Sequence, residues 1–106
     1  MAETSVPPLA GHLVVEFGQV YNGPYCGLLL GFMGARIIKV EPPAGDVLRS
    51  RSKGDRIPIP YLMLNSNKQS IVLDLKDPAD REAALRLVER ADVLIENFSP
   101  GVMDRL

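Results

Sequence analysis

The sequence predicts an α/β fold with a parallel sheet and flanking helices. Four short apolar runs, at 13–17, 37–41, 71–75 and 93–96, have the length and composition of buried strands. Helical patterns fill 24–34 and 78–91, between the first and second runs and between the third and fourth. Strand–helix–strand units give parallel strands, because the crossover helix returns the chain to the same end of the sheet.

The two predicted helices have typical start and stop residues. Pro24 suits the first turn of the first helix, and Gly34 suits the left-handed position just past its end. Asp77 is a good N-cap for the second helix, and Pro78 fits its first position. The apolar residues at helical spacing are Tyr25, Leu28, Leu29, Phe32 and Met33 in the first helix and Ala84, Leu87, Val88 and Ala91 in the second.

The segment 42–70 fits this alternation less well, because Pro42, Pro43, Pro58 and Pro60 interrupt it. Short helical pieces are predicted at 45–50 and 61–65. The residues 102–106 resemble the first turn of a further helix. Two good helices cannot cover both faces of a four-stranded parallel sheet. We therefore expect the chain to be the amino-terminal part of a larger domain, or a piece that needs a partner.

Composition excludes several function classes. The net charge is −1 and only 6% of residues are aromatic, so no basic field or stacking platform for nucleic acid is expected. One cysteine excludes an internal disulfide and a cysteine-based zinc cluster. The first residues are acidic and polar, unlike a signal peptide, and no apolar run approaches about 18 residues. No membrane partner is expected, and the expected location is the cytoplasm.

The carboxyl ends of the strands are the expected ligand site, as in other open parallel sheets. They carry the turn 18–23, Pro42, Lys76 and the segment 97–99. Lys76 could meet a phosphate as a point charge. Lys68 precedes the third strand and is expected at the opposite edge.

Each candidate also has a plainer interpretation. The turn 18–23 lacks the glycine fingerprint of dinucleotide folds, so Glu41 is either a ribose-binding acid or a solvated carboxylate. Cys26 is either a small buried residue or a thiol activated by the helix N-terminus. The basic residues 49–56 form either a solvated loop or an anion site. A response-regulator site is excluded, because it needs an acidic pair after the first strand and an aspartate after the third.

An ordered set of motifs resembles the amino-terminal region of the family III CoA-transferases, which also include α-methylacyl-CoA racemases. The motifs are PLAG at 8–11, VVEF at 14–17, NGP at 22–24, LGFMGARIIKVEPP at 30–43, LNSNKQSIVLDLK at 64–76, ADVLIENF at 91–98 and PGVMDRL at 100–106. The resemblance implies that 1–106 is the amino-terminal part of a CoA-binding Rossmann-like domain. It also implies a longer enzyme, an interlocked homodimer, that moves CoA from an acyl-CoA to a carboxylic acid.

In this family an aspartate attacks the donor thioester, forming an anhydride and then an aspartyl-CoA thioester. The resemblance places that aspartate beyond Leu106, so no catalytic residue is expected here and the chain alone is expected to be inactive. Coenzyme A is a substrate, with no permanently bound cofactor. The positions that match CoA contacts of the family are Tyr21, Asn22, Pro42, Leu73, Asp74, Leu75, Lys76, Asn97, Phe98, Ser99 and Arg105. Pro42 stands where formyl-CoA transferase-like members place an arginine near adenine, so that polar contact is lost.

Two alternatives stay open. The first is an acyl-CoA racemase or epimerase of the same superfamily, which would use acid–base residues further along the chain. The second is a stand-alone nucleotide-binding module without catalysis. The segment 65–68 is more similar to the transferases, and neither the acyl group nor the acceptor acid is encoded in these residues.

Overall fold

The fold is a four-stranded parallel sheet with helices on both faces. The computed structural model describes residues 5–51, 54 and 56–106. The strands are β1 (Leu13–Glu16), β2 (Arg36–Glu41), β3 (Gln69–Val72) and β4 (Val93–Ile95), in the spatial order β3-β2-β1-β4. Every pairing is parallel, which confirms the predicted fold class.

In the part of the chain that the structure describes, four α-helices connect or follow these strands. They are α1 (Asn22–Phe32), α2 (Ile59–Asn65), α3 (Pro78–Arg90) and α4 (Val102–Arg105), and a 3-10 helix spans Val47–Arg51. The short helical pieces predicted after β2 are therefore present. The third strand was expected at 71–75 but ends at Val72, and Leu73 adds one more hydrogen bond, from its N–H to Glu41 O.

The predicted capping of both long helices is confirmed. Gly34 has a φ of 102°, the left-handed value expected just beyond α1. The Asp77 side chain accepts a hydrogen bond from Asp80 N–H at 3.1 Å, which satisfies one of the free amides at the start of α3.

The core lies on both faces of β1. One layer contains Val15, Phe17 and Val40, which pack against α3 through Ala84 and the half-buried Leu87 and Val88. The other layer contains Val14, Ala35, Ile37 and Ile95, with Leu30 of α1 packed against them. Successive strand residues alternate between the two layers, as the period of a β-strand requires.

The apolar pattern of α1 correctly indicates a helix but does not mark its buried side. Tyr25, Leu29, Phe32 and Met33 are exposed, and only Leu28 of the predicted set is buried. Gly23, Pro24 and Gly27 form the rest of the buried side. A Cβ on Gly27 would overlap the Glu16 carboxylate, so this helix lies closer to the sheet than any larger side chain permits.

We expect Gly27→Ala to lower the free energy of unfolding by about 1–3 kcal/mol, the usual cost of overpacking. Alanine has a higher helix propensity than glycine, so Gly27→Ala would instead stabilise the protein if the Glu16 side chain could move aside freely. That result would contradict the prediction. Chemical denaturation of both proteins measures the difference. Cys26→Ala, at the exposed neighbouring position, is the control and should change stability little.

The packed pair α1 and α2 leaves large apolar side chains uncovered. Phe32 is 69% exposed, Ile59 70% and Met63 67%. Because apolar surface of this size drives association in water, we expect the 106-residue chain to self-associate. Sedimentation velocity should show concentration-dependent oligomers, and the double variant Phe32→Lys, Ile59→Lys should shift them toward monomer. A compact, cooperative wild-type monomer at high concentration would contradict this expectation.

Candidate functional site

A cleft of about 170 Å³ lies at the carboxyl ends of β1, β2 and β3. Its wall combines apolar surface with one lysine, one aspartate and one glutamine. The lining residues are Phe17, Gln19, Val40, Pro42, Leu73, Asp74, Leu75, Lys76, Phe98 and Leu106. The cleft therefore lies at the edge where open parallel sheets bind their ligands.

The turn after β3 presents Lys76 to this cleft. Asp74 Oδ1 accepts a hydrogen bond from Lys76 N–H at 3.0 Å, and Asp74 O accepts one from Asp77 N–H at 2.9 Å. Asp80 Oδ2 accepts the N–H of Asp74 in turn, at 2.9 Å. The backbone at Lys76 is therefore fixed, while its side chain is exposed and has no ion-pair partner among the described residues.

The turn between β1 and α1 contributes Gln19 to the lining of the cleft. Its two ends touch, since a Cβ on Gly18 would lie 2.8 Å from the Cα of Gly23. The Asn97 side chain makes two hydrogen bonds with the Gln19 backbone, accepting from its N–H and donating to its carbonyl, both at 2.8 Å. Between these points Val20 has a φ of 67°, which is a rare value for a β-branched residue.

A group of buried charged side chains lies beneath that turn. Lys39 Nζ contacts Glu16 Oε2 at 3.0 Å, Asp46 Oδ2 at 2.9 Å and the carbonyl of Gly18 at 2.9 Å. Lys68 Nζ contacts Glu16 Oε1 and the carbonyl of Pro24, both at 2.7 Å. We call Glu16, Lys39, Asp46 and Lys68 the buried charge cluster; burial lowers the pKa of Lys68, although its hydrogen bond to Glu16 opposes that shift.

The backbone of Lys68 directly precedes β3, but its ammonium lies at the carboxyl end of β1 rather than at the edge predicted for it. The prediction assumed that the strands begin level with one another. The register shows instead that the first residue of β3, Gln69, pairs with Ile38, two residues into β2. This stagger brings the Lys68 ammonium to the end of β1.

Glu41 forms a second polar group at the end of β2. It is 3% exposed, and its carboxylate accepts hydrogen bonds from Arg49, Tyr61 and Ser70 at 2.8–3.1 Å. It is therefore neither the solvated carboxylate nor a free ribose-binding acid that the sequence suggested. Arg49, the first of the basic residues at 49–56, likewise has an internal partner; Arg51 and Arg56 are exposed, and Lys53 falls outside the described residues.

The structure brings part of the predicted CoA-contact set into the cleft. Pro42, Leu73, Asp74, Leu75, Lys76 and Phe98 line it. The remaining predicted residues lie elsewhere: Tyr21 and Asn22 are exposed at the start of α1, Ser99 is exposed before α4, and Arg105 is exposed within it. Asn97 lies beside the turn, with its amide bonded to Gln19.

Two groups with reactive side chains are outside the cleft. Cys26 is exposed on α1, so the expectation of a small buried residue is wrong. His12 is exposed just before β1. Among the described residues, no cluster of three or more His, Cys, Asp or Glu side chains has the arrangement of a metal site. None of the helices in that part of the chain is both long and apolar enough to cross a bilayer.

Sequence reasoning missed Gln19 and the buried charge cluster. Gln19 lies in the turn 18–23, directly before Val20 with its positive φ. Nothing in the sequence of that turn indicates which of its side chains faces the cleft. The cluster was visible only as an acidic residue at the end of an apolar strand and a lysine within the next one. Charged residues inside buried strands indicate that they are paired, and this was the available signal.

The model of the family described as "CoA-transferase family III" matches residues 9–106. The chain therefore belongs to this family. The curated relatives include the acetyl-CoA:oxalate CoA-transferase of Acetobacter aceti, 48% identical over 93% of this chain and 26% of that protein. They also include the succinyl-CoA:mesaconate CoA-transferase of Haloarcula hispanica, 47% identical over 87% of this chain and 25% of the relative. The chain thus spans about a quarter of the length of these relatives.

Solved structures of longer proteins share the fold of this family III segment. A hypothetical protein from Mycobacterium tuberculosis aligns with a TM-score of 0.88 and 35% identity, over 96% of this chain and 28% of that one. A CAIB/BAIF family protein from Brucella suis aligns with a TM-score of 0.87 and 39% identity, over 92% and 28% of the two chains. The arrangement of sheet and helices described above is therefore that of an established enzyme family.

Glu41 makes the stability of this family III segment depend on acid pH. Burial by itself raises the pKa of Glu41, but the hydrogen bonds from Arg49, Tyr61 and Ser70 outweigh burial and hold it below its ordinary value of 4.5. As the pH falls through 4.5, the unfolded chain takes up this proton first, so the folded state loses stability until the folded pKa is passed.

We expect Glu41→Gln to be less stable than wild type at neutral pH, by about 1–3 kcal/mol for the lost charged hydrogen bonds. The difference between the two proteins should shrink as the pH is lowered below 4.5. Urea denaturation at a series of pH values measures it, with the exposed Glu89→Gln as control. A difference that stays constant down to pH values well below 4.5 would contradict the role given to Glu41.

Proposed function

We propose that residues 1–106 are the amino-terminal, CoA-nucleotide-binding part of an enzyme that transfers CoA from an acyl-CoA to a carboxylic acid. The observation that carries this proposal is the cleft at the carboxyl edge, occupied on one side by Lys76, in a chain that belongs to CoA-transferase family III. The enzyme would act on acyl-CoA and carboxylate substrates and transfer a sulfur-containing group.

The chemistry of the cleft suits a phosphorylated nucleotide. Pro42 and Phe98, which both line the cleft, offer apolar surface to a purine base. Lys76 offers a positive charge that is not used within the described structure, and an ammonium offsets phosphate charge as a point charge. Gln19 adds a side chain that can donate and accept hydrogen bonds. The remaining positions carried over from the family, Tyr21, Asn22, Ser99 and Arg105, stay predictions of the contact surface.

Transfer is favoured over racemisation by the activities of the relatives. The acetyl-CoA:oxalate and succinyl-CoA:mesaconate enzymes both pass CoA between acids. In this proposal the nucleophilic aspartate lies beyond Leu106. The aspartates near the cleft have structural roles instead. Asp74 and Asp77 shape the turn and cap α3, and Asp46 is paired with Lys39. The interlocked homodimer and the cytoplasmic location are part of the same proposal.

Lys76→Ala tests the assignment of the cleft. In the proposed full-length enzyme we expect the Michaelis constant for acyl-CoA to rise about tenfold while kcat changes little, because a contact to the remote nucleotide is made equally in ground and transition states. Lys76→Arg keeps the charge and should recover most of the affinity. Arg86→Ala, which removes an exposed cation paired with Glu82, is the matched control. An unchanged Michaelis constant in Lys76→Ala would remove Lys76 from the site.

Experiments on the 106-residue chain test whether nucleotide binding and catalysis belong to different parts of the proposed enzyme. We expect weak binding of CoA in isothermal titration calorimetry, similar binding of its nucleotide half, adenosine 3′,5′-bisphosphate, and no binding of pantetheine. The same chain should show no CoA transfer, because the nucleophilic carboxylate is placed elsewhere. Binding of pantetheine in preference to the nucleotide would contradict the proposed orientation, and measured transfer would overturn the placement of catalysis.

A further inference from the structure

We infer that Asn97 is a positioning residue, which acts on CoA through the turn between β1 and α1 rather than by touching the ligand. The inference rests on the proposed function, because it concerns the same cleft. It replaces the direct CoA contact expected of Asn97 with a role in holding Gln19 at the cleft wall.

The hydrogen bonds of Asn97 are the first reason. Its Oδ1 accepts from Gln19 N–H and its Nδ2 donates to Gln19 O, both at 2.8 Å. Both hydrogen bonds are made to the backbone of the same residue, so they fix the orientation of Gln19, which lines the cleft. Asn97 itself is not among the residues that line that cleft.

The backbone of Val20 is the second reason. A φ of 67° is unfavourable for a β-branched residue and persists only where the surroundings impose it. The surroundings hold the backbone on the amino side of this residue, since Asn97 bonds Gln19 and Asp46 Oδ1 accepts Val20 N–H at 3.3 Å. Lys39 donates to the carbonyl of Gly18, where the turn begins, and Lys68 donates to the carbonyl of Pro24, in the first turn of α1.

The strain gives Asn97 a defined effect on binding. Without its two hydrogen bonds, Val20 is free to leave the left-handed region, and Gln19 then turns away from the cleft. The apparent Kd for CoA rises in proportion to the loss of the binding-competent conformation. Asp46 belongs to the same device, because it joins the turn to the loop after β2 that carries Pro42, which also lines the cleft.

A double-mutant cycle tests the inference in the 106-residue chain. We expect Asn97→Ala to raise the Kd for CoA about tenfold, through a fall of the competent population to about a tenth. Val20→Gly should leave the Kd close to that of wild type. The double variant should recover most of the lost affinity, because glycine adopts positive φ without the steric penalty of valine.

The measured Kd values decide whether Asn97 acts through the turn. An equal loss of affinity in Asn97→Ala and in the double variant would show that Asn97 contacts CoA itself, and would overturn the inference. An unchanged Kd in Asn97→Ala would also overturn it. Ile37→Ala, a destabilising change in the opposite core layer, is the control; loss of CoA affinity there, in protein that is still folded, would assign the effect to general stability.

Amide hydrogen exchange separates this inference from the proposed function. Exchange at Gln19 and Val20 should be faster in Asn97→Ala and return toward wild type at position 20 in the double variant, with no ligand present. If amide exchange is faster in Asn97→Ala but wild type binds no CoA, the proposed function is wrong while the role of Asn97 in holding the turn is confirmed. If exchange at Gln19 and Val20 is unchanged in Asn97→Ala, Asn97 does not hold the turn.

Discussion

The Glu16 carboxylate, held between two buried lysines, is the interaction on which the rest of the structure depends. Its oxygens are 3.0 Å from Lys39 Nζ and 2.7 Å from Lys68 Nζ, and the Glu16 side chain is fully buried. Removing one partner from such a group leaves an uncompensated buried charge, which costs about 3–5 kcal/mol. Since the partners come from β1, β2 and the start of β3, the cluster fixes the relative position of three strands at once.

The same lysines connect the sheet to the candidate site. Lys39 donates one hydrogen bond to the carbonyl of Gly18, in the turn between β1 and α1, and Lys68 donates one to the carbonyl of Pro24, in the first turn of α1. Asp46 extends the network to the loop after β2 and to the Val20 amide. Buried polar groups make their surroundings rigid when they are fully paired. Loops that line a cleft are otherwise mobile, so this network makes the loops around the cleft rigid. The β-sheet therefore controls the shape of the cleft through these charged side chains as well as through the apolar contacts of its lining residues.

The sequence predicts the elements much better than it predicts which of their faces are buried. Apolar runs and caps locate the strands and α3, because hydrophobic periodicity and Asp77 are local signals. The buried side of α1 was missed, since its glycines carry no apolar signal while the exposed Phe32 carries a strong one. Both the carboxyl-edge rule and the resemblance found Lys76 and Phe98, but the hydrogen bonds of Asn97 to Gln19 join residues 78 positions apart. Such a pairing depends on how β4 packs beside β1, which no local pattern encodes.

The glycine side of α1 also bears on how the protein folds. Glycine in a helix costs about 1 kcal/mol relative to alanine, so a helix with Gly23, Gly27 and Gly31 has little tendency to form by itself. The helix becomes favourable only when it lies on the sheet, and there it covers Glu16 and brings Pro24 O to Lys68. Helix formation and desolvation of the charges then belong to one step. A partly docked α1 would leave the Lys68 ammonium without the Pro24 carbonyl, which makes intermediates of that kind unstable and the folding transition of this half of the sheet sharp.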